Sequence, residues 1–327
     1  MKKVLVINTG GTIAMKINKD KTVTPTTINP LDQAIKQMET NEISIVSDNM
    51  YNVPSPSITP NMMFDISKKI QIAIQKENFD GIVVTHGTDT LEETAYFLDL
   101  VLPNRIPIVI TGAMKAYNSM DSDGLYNLQC AINTAASDDA YNYGVMVVLN
   151  DEINYARTVT KTNTTNVDTF KSPLTGPLGI IVNKKPLFIQ KLNKYEQPIK
   201  IKSVIPNIYL LIAYSGMDSS LFNFINNEKT NGLVIEGLGS GNLPPSTLNG
   251  IKNLLKNKIP IVLVSRCING IAQPIYGCES DGFGLKKLGV TICQGLNGVK
   301  ARIRLIVGLS AGKKGKELSN FMSNSIS

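Results

Sequence analysis

The sequence holds a single histidine, His86, in 327 residues, and no tryptophan. One imidazole excludes, within one subunit, any metal site that needs two or more histidine ligands. It also leaves a Ser-His-Asp triad only one available base. Cysteine is scarce. Cys130, Cys267, Cys278 and Cys293 show no C-x-x-C spacing, which argues against a zinc ribbon, and a disulfide scaffold does not suit a chain this long. Core thiols in a reducing cytosol are the simplest account. Long apolar runs are missing as well. After Met1-Lys2-Lys3, only Val4 to Ile7 precede polar Asn8-Thr9-Gly10-Gly11. That stretch is too short for a signal-peptide core or a membrane span, so the expected location is cytoplasmic, with no membrane partner. Charge is sparse at 18% of residues, and the net charge is +7. The lysines are scattered, densest at Lys184-Lys185, Lys194 to Lys202 and Lys313 to Lys316. No basic run is interleaved with aromatics, so the expectation is a solvated basic face and no nucleic-acid partner.

What is present describes an ordinary globular protein. Hydrophobic residues make up 43%, and the length suits about two domains at roughly 150 residues each. Short β-rich apolar runs at Val4–Ile7, Gly81–Thr85, Ile106–Thr111, Gly144–Leu149, Ile208–Ala213, Gly232–Glu236 and Ile259–Ser265 read as buried strands. Helical patterns lie between them. Thr59-Pro60 supplies an N-cap and an N1 proline. Asp89 to Leu102 places carboxylates in a first turn. Asp121 to Ser137 is a third pattern, and Pro244-Pro245-Ser246 leads a fourth through Leu254. This alternation predicts an α/β fold of two domains. The larger, N-terminal one is a mostly parallel sheet flanked by helices, over 1–190. A basic, proline-punctuated linker is expected over 191–206. A smaller parallel α/β domain follows over 207–327.

In open parallel sheets, ligands bind beyond the carboxyl ends of the strands. The first strand runs into Thr9-Gly10-Gly11-Thr12, the strand at 81–85 into His86-Gly87-Thr88-Asp89-Thr90, and the strand at 106–111 into Gly112-Ala113-Met114. Glycine lets a backbone approach a ligand, and a threonine beside such a loop can be a nucleophile facing oxyanion donors. Tight β–α turns with threonine caps are the plainer reading of each loop alone. Neither loop matches a phosphate-binding glycine pattern. Lys161, set among hydroxyls in Thr158 to Thr165, is a candidate base. Spacing alone does not bring it near Thr88.

Three motifs together resemble the bacterial L-asparaginase family, type II-like. They are Thr9-Gly10-Gly11-Thr12-Ile13-Ala14, the run Gly81 to Ala95 containing His86-Gly87-Thr88-Asp89-Thr90, and Val159 to Thr165 followed by Thr169-Phe170-Lys171-Ser172. Weaker matches are Thr111 to Met114, Gly239-Ser240-Gly241-Asn242-Leu243 and Lys300-Ala301-Arg302. The resemblance implies hydrolysis of L-asparagine to L-aspartate and ammonia through a threonine acyl-enzyme, without cofactor or metal. Carried over by position, Thr12 is the nucleophile, and Thr88, Asp89 and Lys161 form a second catalytic cluster. Gly11, Ser55, Gly87, Thr88, Asp89 and Ala113 would bind substrate. Asn242 would complete the site from a neighbouring subunit of a homotetramer built as two intimate dimers. In the family, His86 would support its loop by hydrogen bonds.

The sequence departs from that pattern in the loop after the first motif. Ile13 to Pro30 lacks the tyrosine that activates the nucleophile, and Val23 falls nearest its position. Tyr276 or Asp281 of a partner chain is the expected substitute. Comparable activity on L-glutamine is the alternative, since one methylene discriminates by only about 1–3 kcal/mol. A non-catalytic amino-acid sensor is a further alternative, disfavoured because Thr12 and Lys161 are both present.

Overall fold

The computed structural model describes residues 1–103, 105–191 and 197–325. The chain forms two compact units, Met1–Pro198 and Ile199–Ser327. Part of the expected linker, residues 192–196, lies outside the described residues, and the described residues of 197–207 form neither helix nor strand.

The first unit opens with β1 (Lys2–Gly10), a hairpin of β2 (Met15–Ile17) and β3 (Val23–Pro25), α1 (Leu31–Gln37) and β4 (Ile43–Val53). Then come α2 (Pro60–Lys76), β5 (Gly81–Thr85), α3 (Leu91–Val101), β6 (Ile108–Thr111), α4 (Gly124–Ala135) and β7 (Val145–Leu149). Antiparallel strands close the unit: β8 (Glu152–Tyr155), the two-residue pair β9 (Thr160–Lys161) and β10 (Phe170–Lys171), then β11 (Gly179–Val182) and β12 (Lys185–Phe188). Eight strands share one sheet in the order β12-β11-β8-β7-β6-β5-β1-β4. The five from β7 to β4 pair parallel, and β8, β11 and β12 antiparallel.

Both faces of the inner parallel strands β1, β5, β6 and β7 are covered, which is why these strands are mostly apolar, whereas the edge strand β4 is mixed. Val4, Val6, Val83, Val109, Met146 and Val148 share one core with Leu128, Ala131, Ile132 and Ala135 of α4. The intervening Leu5, Ile7, Ile82, Val84 and Ile110 are equally buried. The α2 helix starts where the sequence places it: Thr59 Oγ1 accepts the Met62 N–H at 3.3 Å, and Pro60 has no N–H that needs an acceptor. The α3 helix starts two residues later than Asp89, because Asp89 and Thr90 are spent on the turn that leads into it.

The second unit orders β13 (Ile208–Ile212), β14 (Gly232–Gly237), β15 (Ile261–Ser265) and β16 (Thr291–Ile292) as a parallel sheet. Its helices are α5 (Ser220–Ile225), α6 (Leu248–Lys256), α7 (Gly282–Leu288), α8 (Gly298–Ser310) and α9 (Gly315–Ser323). Its core joins Leu233, Ile235, Ile261 and Leu263 to Phe222, Ile251, Leu254 and Leu285. Among the described residues, no helix is long and apolar enough to cross a membrane.

Candidate active site

Three parallel strands deliver their carboxyl ends to one place. After β1, Gly11 takes φ 82° and leads into a 3-10 turn at Thr12–Ala14. After β5, the chain passes through His86-Gly87-Thr88 into α3. These two turns touch backbone to backbone. A Cβ on Gly11 would lie 2.3 Å from the Cα and N of Gly87. A Cβ on Gly87 would lie 2.8 Å from Ser55 Cβ and Oγ and 3.0 Å from Gly11 Cα. No side chain fits at either position, so Thr12 and Thr88 follow two glycines in direct contact. Gly11 N donates to Val53 O at 3.0 Å, and Thr9 Oγ1 to Thr85 O at 2.7 Å. The third strand end joins them, since a Cβ on Gly112 would lie 2.5 Å from the His86 carbonyl oxygen. Ala113 is buried beside it. The Asp123 carboxylate accepts the N–H groups of Met114 and Lys115 at 3.0 and 2.9 Å, and Asn127 donates to Gly112 O at 3.1 Å, which fixes that loop.

Lys161 reaches this cluster from the distant β9–β10 pair. Its Nζ donates to Thr88 Oγ1 at 3.0 Å and to Asp89 Oδ1 at 2.7 Å. The lysine side chain is 15% exposed and that of Asp89 is 60% exposed. Glu92, in the first turn of α3, anchors the strand that carries the lysine. Its Oε1 accepts Thr160 Oγ1 at 3.0 Å and Lys161 N at 3.2 Å. A carboxylate that the sequence explains by the helix dipole therefore also holds the strand of the candidate base. Nothing in the spacing of Glu92 and Lys161 signals that contact. Ser55 completes the cluster, with its Oγ accepting the Asp89 N–H at 3.1 Å and its carbonyl accepting Thr90 Oγ1 at 2.8 Å.

His86 takes no part in this arrangement of hydroxyls and amine. It is fully buried, and desolvation pushes its pKa down to about 4. Nδ1 lies 2.8 Å from Gly87 O, and a carbonyl can only accept, so Nδ1 carries the proton. Nε2 then accepts from Thr94 Oγ1 at 2.9 Å. Both ring nitrogens are committed to holding the turn.

Asn242 lies in the second unit, where its N–H donates to Leu238 O at 2.9 Å. Its side-chain Oδ1 and the Ser240 Oγ are buried without a partner among the described residues. The expected stand-ins for the missing tyrosine fare differently. Asp281 is not available: it caps α7, its carboxylate accepting N–H groups from Phe283, Gly284 and Cys278 at 3.2, 3.3 and 2.6 Å. Tyr276 is exposed. Lys300 is buried, and Arg302 Nε donates to Ile208 O at 2.7 Å, so that basic motif is built into the second unit's own packing. The four thiols are free, but only Cys130 and Cys293 are buried, so the core-thiol account covers two of them.

Comparison with known proteins agrees with this architecture. Family models described as "Asparaginase, N-terminal" and "Glutaminase/Asparaginase C-terminal domain" match residues 3–194 and 207–322. The chain is 33% identical over 314 residues to an L-asparaginase of Bacillus licheniformis, covering 96% of this chain and 97% of that one. It is 32% identical over 339 residues to L-asparaginase 2 of Escherichia coli (strain K12), covering 98% and 92%. Among solved structures, the probable cytoplasmic L-asparaginase of Campylobacter jejuni is similar with a TM-score of 0.85 and 32% identity, covering 98% of this chain and 99% of that one.

Proposed function

We infer the reaction from the premise that this chain belongs to the asparaginase family. It is an amidohydrolase that converts L-asparagine to L-aspartate and ammonia. Thr12 Oγ attacks the side-chain amide carbon of the substrate, and a tetrahedral oxyanion forms. The C–N bond breaks, the leaving nitrogen takes a proton and departs as ammonia, and an aspartyl ester remains on Thr12. Water attacks that ester and returns the threonine hydroxyl with free aspartate. Thr88 and Lys161 move the proton in each step, the amine exchanging it with Thr88 Oγ1 across 3.0 Å. The Gly11 and Asp89 N–H groups are given to Val53 O and Ser55 Oγ, so the backbone N–H groups of Thr12 and Thr88, in the same two turns, hold the oxyanion.

Substrate orientation follows from the groups left over. Asp89 uses Oδ1 for Lys161, and its other oxygen receives the α-ammonium. Ser55 Oγ accepts the Asp89 N–H, which leaves its hydroxyl hydrogen to donate to the α-carboxylate. Gly87 leaves the approach open, and the Ala113 carbonyl accepts from the leaving amide. Asn242 of a neighbouring subunit completes the site in a tetramer of two intimate dimers, and the enzyme acts in the cytoplasm. Its four free thiols and the similar Campylobacter jejuni protein support that location.

The observation that carries the mechanism is the Lys161–Thr88 hydrogen bond beside the Gly11–Gly87 contact. The bond sets a candidate base on the Thr88 hydroxyl, and the contact puts the turn of Thr12 beside that of Thr88, which supports a reading without imidazole. Ammonia release by purified Thr12→Ala and Thr88→Ala tests it. Each is expected to lose at least about a hundredfold in kcat with unchanged circular dichroism. Near-normal turnover in either removes that threonine from its role.

A further inference from the structure

We propose that Asn8 and Thr85 are positioning residues that lock the two threonine-bearing turns to each other, under the direction of the Asp32 carboxylate. The proposal rests on the reading that Thr12 and Thr88 do the chemistry. Asn8 sits at the last regular rung of β1. Its cross-strand neighbours are Asn49 on β4 and Thr85 on β5. Past this rung the β1–β4 register shifts, between Asn8 and Gly10, and the β1–β5 ladder ends. Past this rung backbone bonds tie each turn to its outer neighbour, Gly11 N–H to Val53 O and His86 N–H to Thr111 O, but the β1–β5 ladder no longer ties the two turns to each other.

Side chains link β1 to β5 at that level, Thr9 Oγ1 to Thr85 O among them. Thr85 Oγ1 donates to Asn8 Oδ1 at 3.0 Å, in a fully buried contact. The Asn8 amide donates to Asn49 Oδ1 at 2.9 Å and to Ser47 Oγ at 3.0 Å. Both branches end on one carboxylate. Asn49 Nδ2 donates to Asp32 Oδ2 at 3.0 Å, and Ser47 Oγ donates to Asp32 Oδ1 at 3.0 Å. Asn29, which follows the β2–β3 hairpin, adds a donor to Asn49 Oδ1 at 2.6 Å.

The polarity of this network is set from its outer end. An ionised carboxylate only accepts, so Asn49 and Ser47 must donate to Asp32. Asn49 then presents its carbonyl oxygen to Asn8, Asn8 presents its own to Thr85, and the Thr85 hydroxyl has one orientation left. Thr85 directly precedes His86-Gly87-Thr88, and Asn8 precedes Thr9 to Thr12 by one residue. A fixed link between them fixes the distance between the nucleophile and the lysine-bound hydroxyl. Displacements of an ångström there are costly to rate and nearly neutral to binding of the remote substrate groups.

The test is a steady-state series on the full-length enzyme, with ammonia release from L-asparagine as readout. Thr85→Val removes the hydroxyl and is expected to lower kcat about tenfold with KM within about twofold, while Thr85→Ser restores kcat. Asn8→Ala combined with Thr85→Val is expected to be no worse than the poorer single variant, as for two halves of one interaction. Asp32→Asn lies at the outer end of the network and keeps the fold should Thr85→Val fail to. It is expected to lower kcat about threefold by freeing the amides to reverse. A purely structural role would lower the melting temperature and leave kcat of the folded enzyme unchanged, and that result overturns the proposal. So does Asp32→Asn with unaltered kcat. Thr12→Ala run alongside separates the two readings. Activity in Thr12→Ala sinks the threonine mechanism, whereas a dead Thr12→Ala beside normal Thr85→Val and Asp32→Asn sinks the lock alone.

Discussion

At the scale of residues, His86 stands next to the turn proposed to be catalytic, with both ring nitrogens committed to holding that turn. Its burial has a measurable signature. In the unfolded chain it titrates near 6.5, and in the folded protein near 4. Between those values the unfolded state binds the extra proton, so acidification from pH 6.5 towards 4 destabilises the fold, by roughly 3 kcal/mol in all. The unfolding free energy of His86→Gln, measured by denaturant titration across that window, should show a flatter pH dependence than wild type; an identical slope would place the acid sensitivity elsewhere. The glycine contact makes a second residue-scale prediction. Gly87→Ala brings a methyl to 2.8 Å from Ser55 and 3.0 Å from Gly11. It should cost about 1–3 kcal/mol of stability and lower turnover with it, checked by thermal melts and ammonia release. The single histidine and the Gly-Thr turns are visible in the sequence. The Lys161–Thr88 pair is not, because 73 residues separate them and only the resemblance to a family joins them. Asn8, Thr85 and Glu92 carry no chemistry-bearing pattern, so their hydrogen bonds emerge only when three strands and a helix are assembled.

At the scale of elements, legibility followed burial on both faces. Gly81–Thr85 is a strand with the expected bounds, and Thr59-Pro60 opens α2 as its side chains dictate. The β4 strand carries no clear signal in the sequence because it is an edge strand of mixed burial with polar residues at Ser44, Ser47, Asp48 and Asn49. The β8, β11 and β12 strands are four residues each and antiparallel, too short for periodicity to declare. The α8 helix hides for a different reason. Lys300 and Arg304 look like surface charge but are buried, and Arg304 donates to the carbonyls of Phe321 and Asn324 at the end of α9. Caps at this scale can be weighed directly. Thr59→Ala should cost about 1 kcal/mol by removing the acceptor for Met62 N–H, and Thr59→Ser should recover most of it in chemical denaturation. A loss of less than a few tenths would mean that packing alone sets the start of α2.

At the scale of the whole molecule, the two units are each complete folds with their own cores. The proposed role of Asn242 requires a second copy of the chain, so specific activity should fall on dilution in step with dissociation followed by light scattering. Activity unchanged in a demonstrated monomer would confine the site to one chain. The central claim is narrower and lies in the amine. It is tested most directly by the turnover of L-asparagine by purified Lys161→Met. The side chain keeps much of its length and loses both the donor to Thr88 and the proton exchange. Ammonia release should drop by at least about a hundredfold with the fold intact by circular dichroism. A rate close to that of the unaltered enzyme would contradict the account.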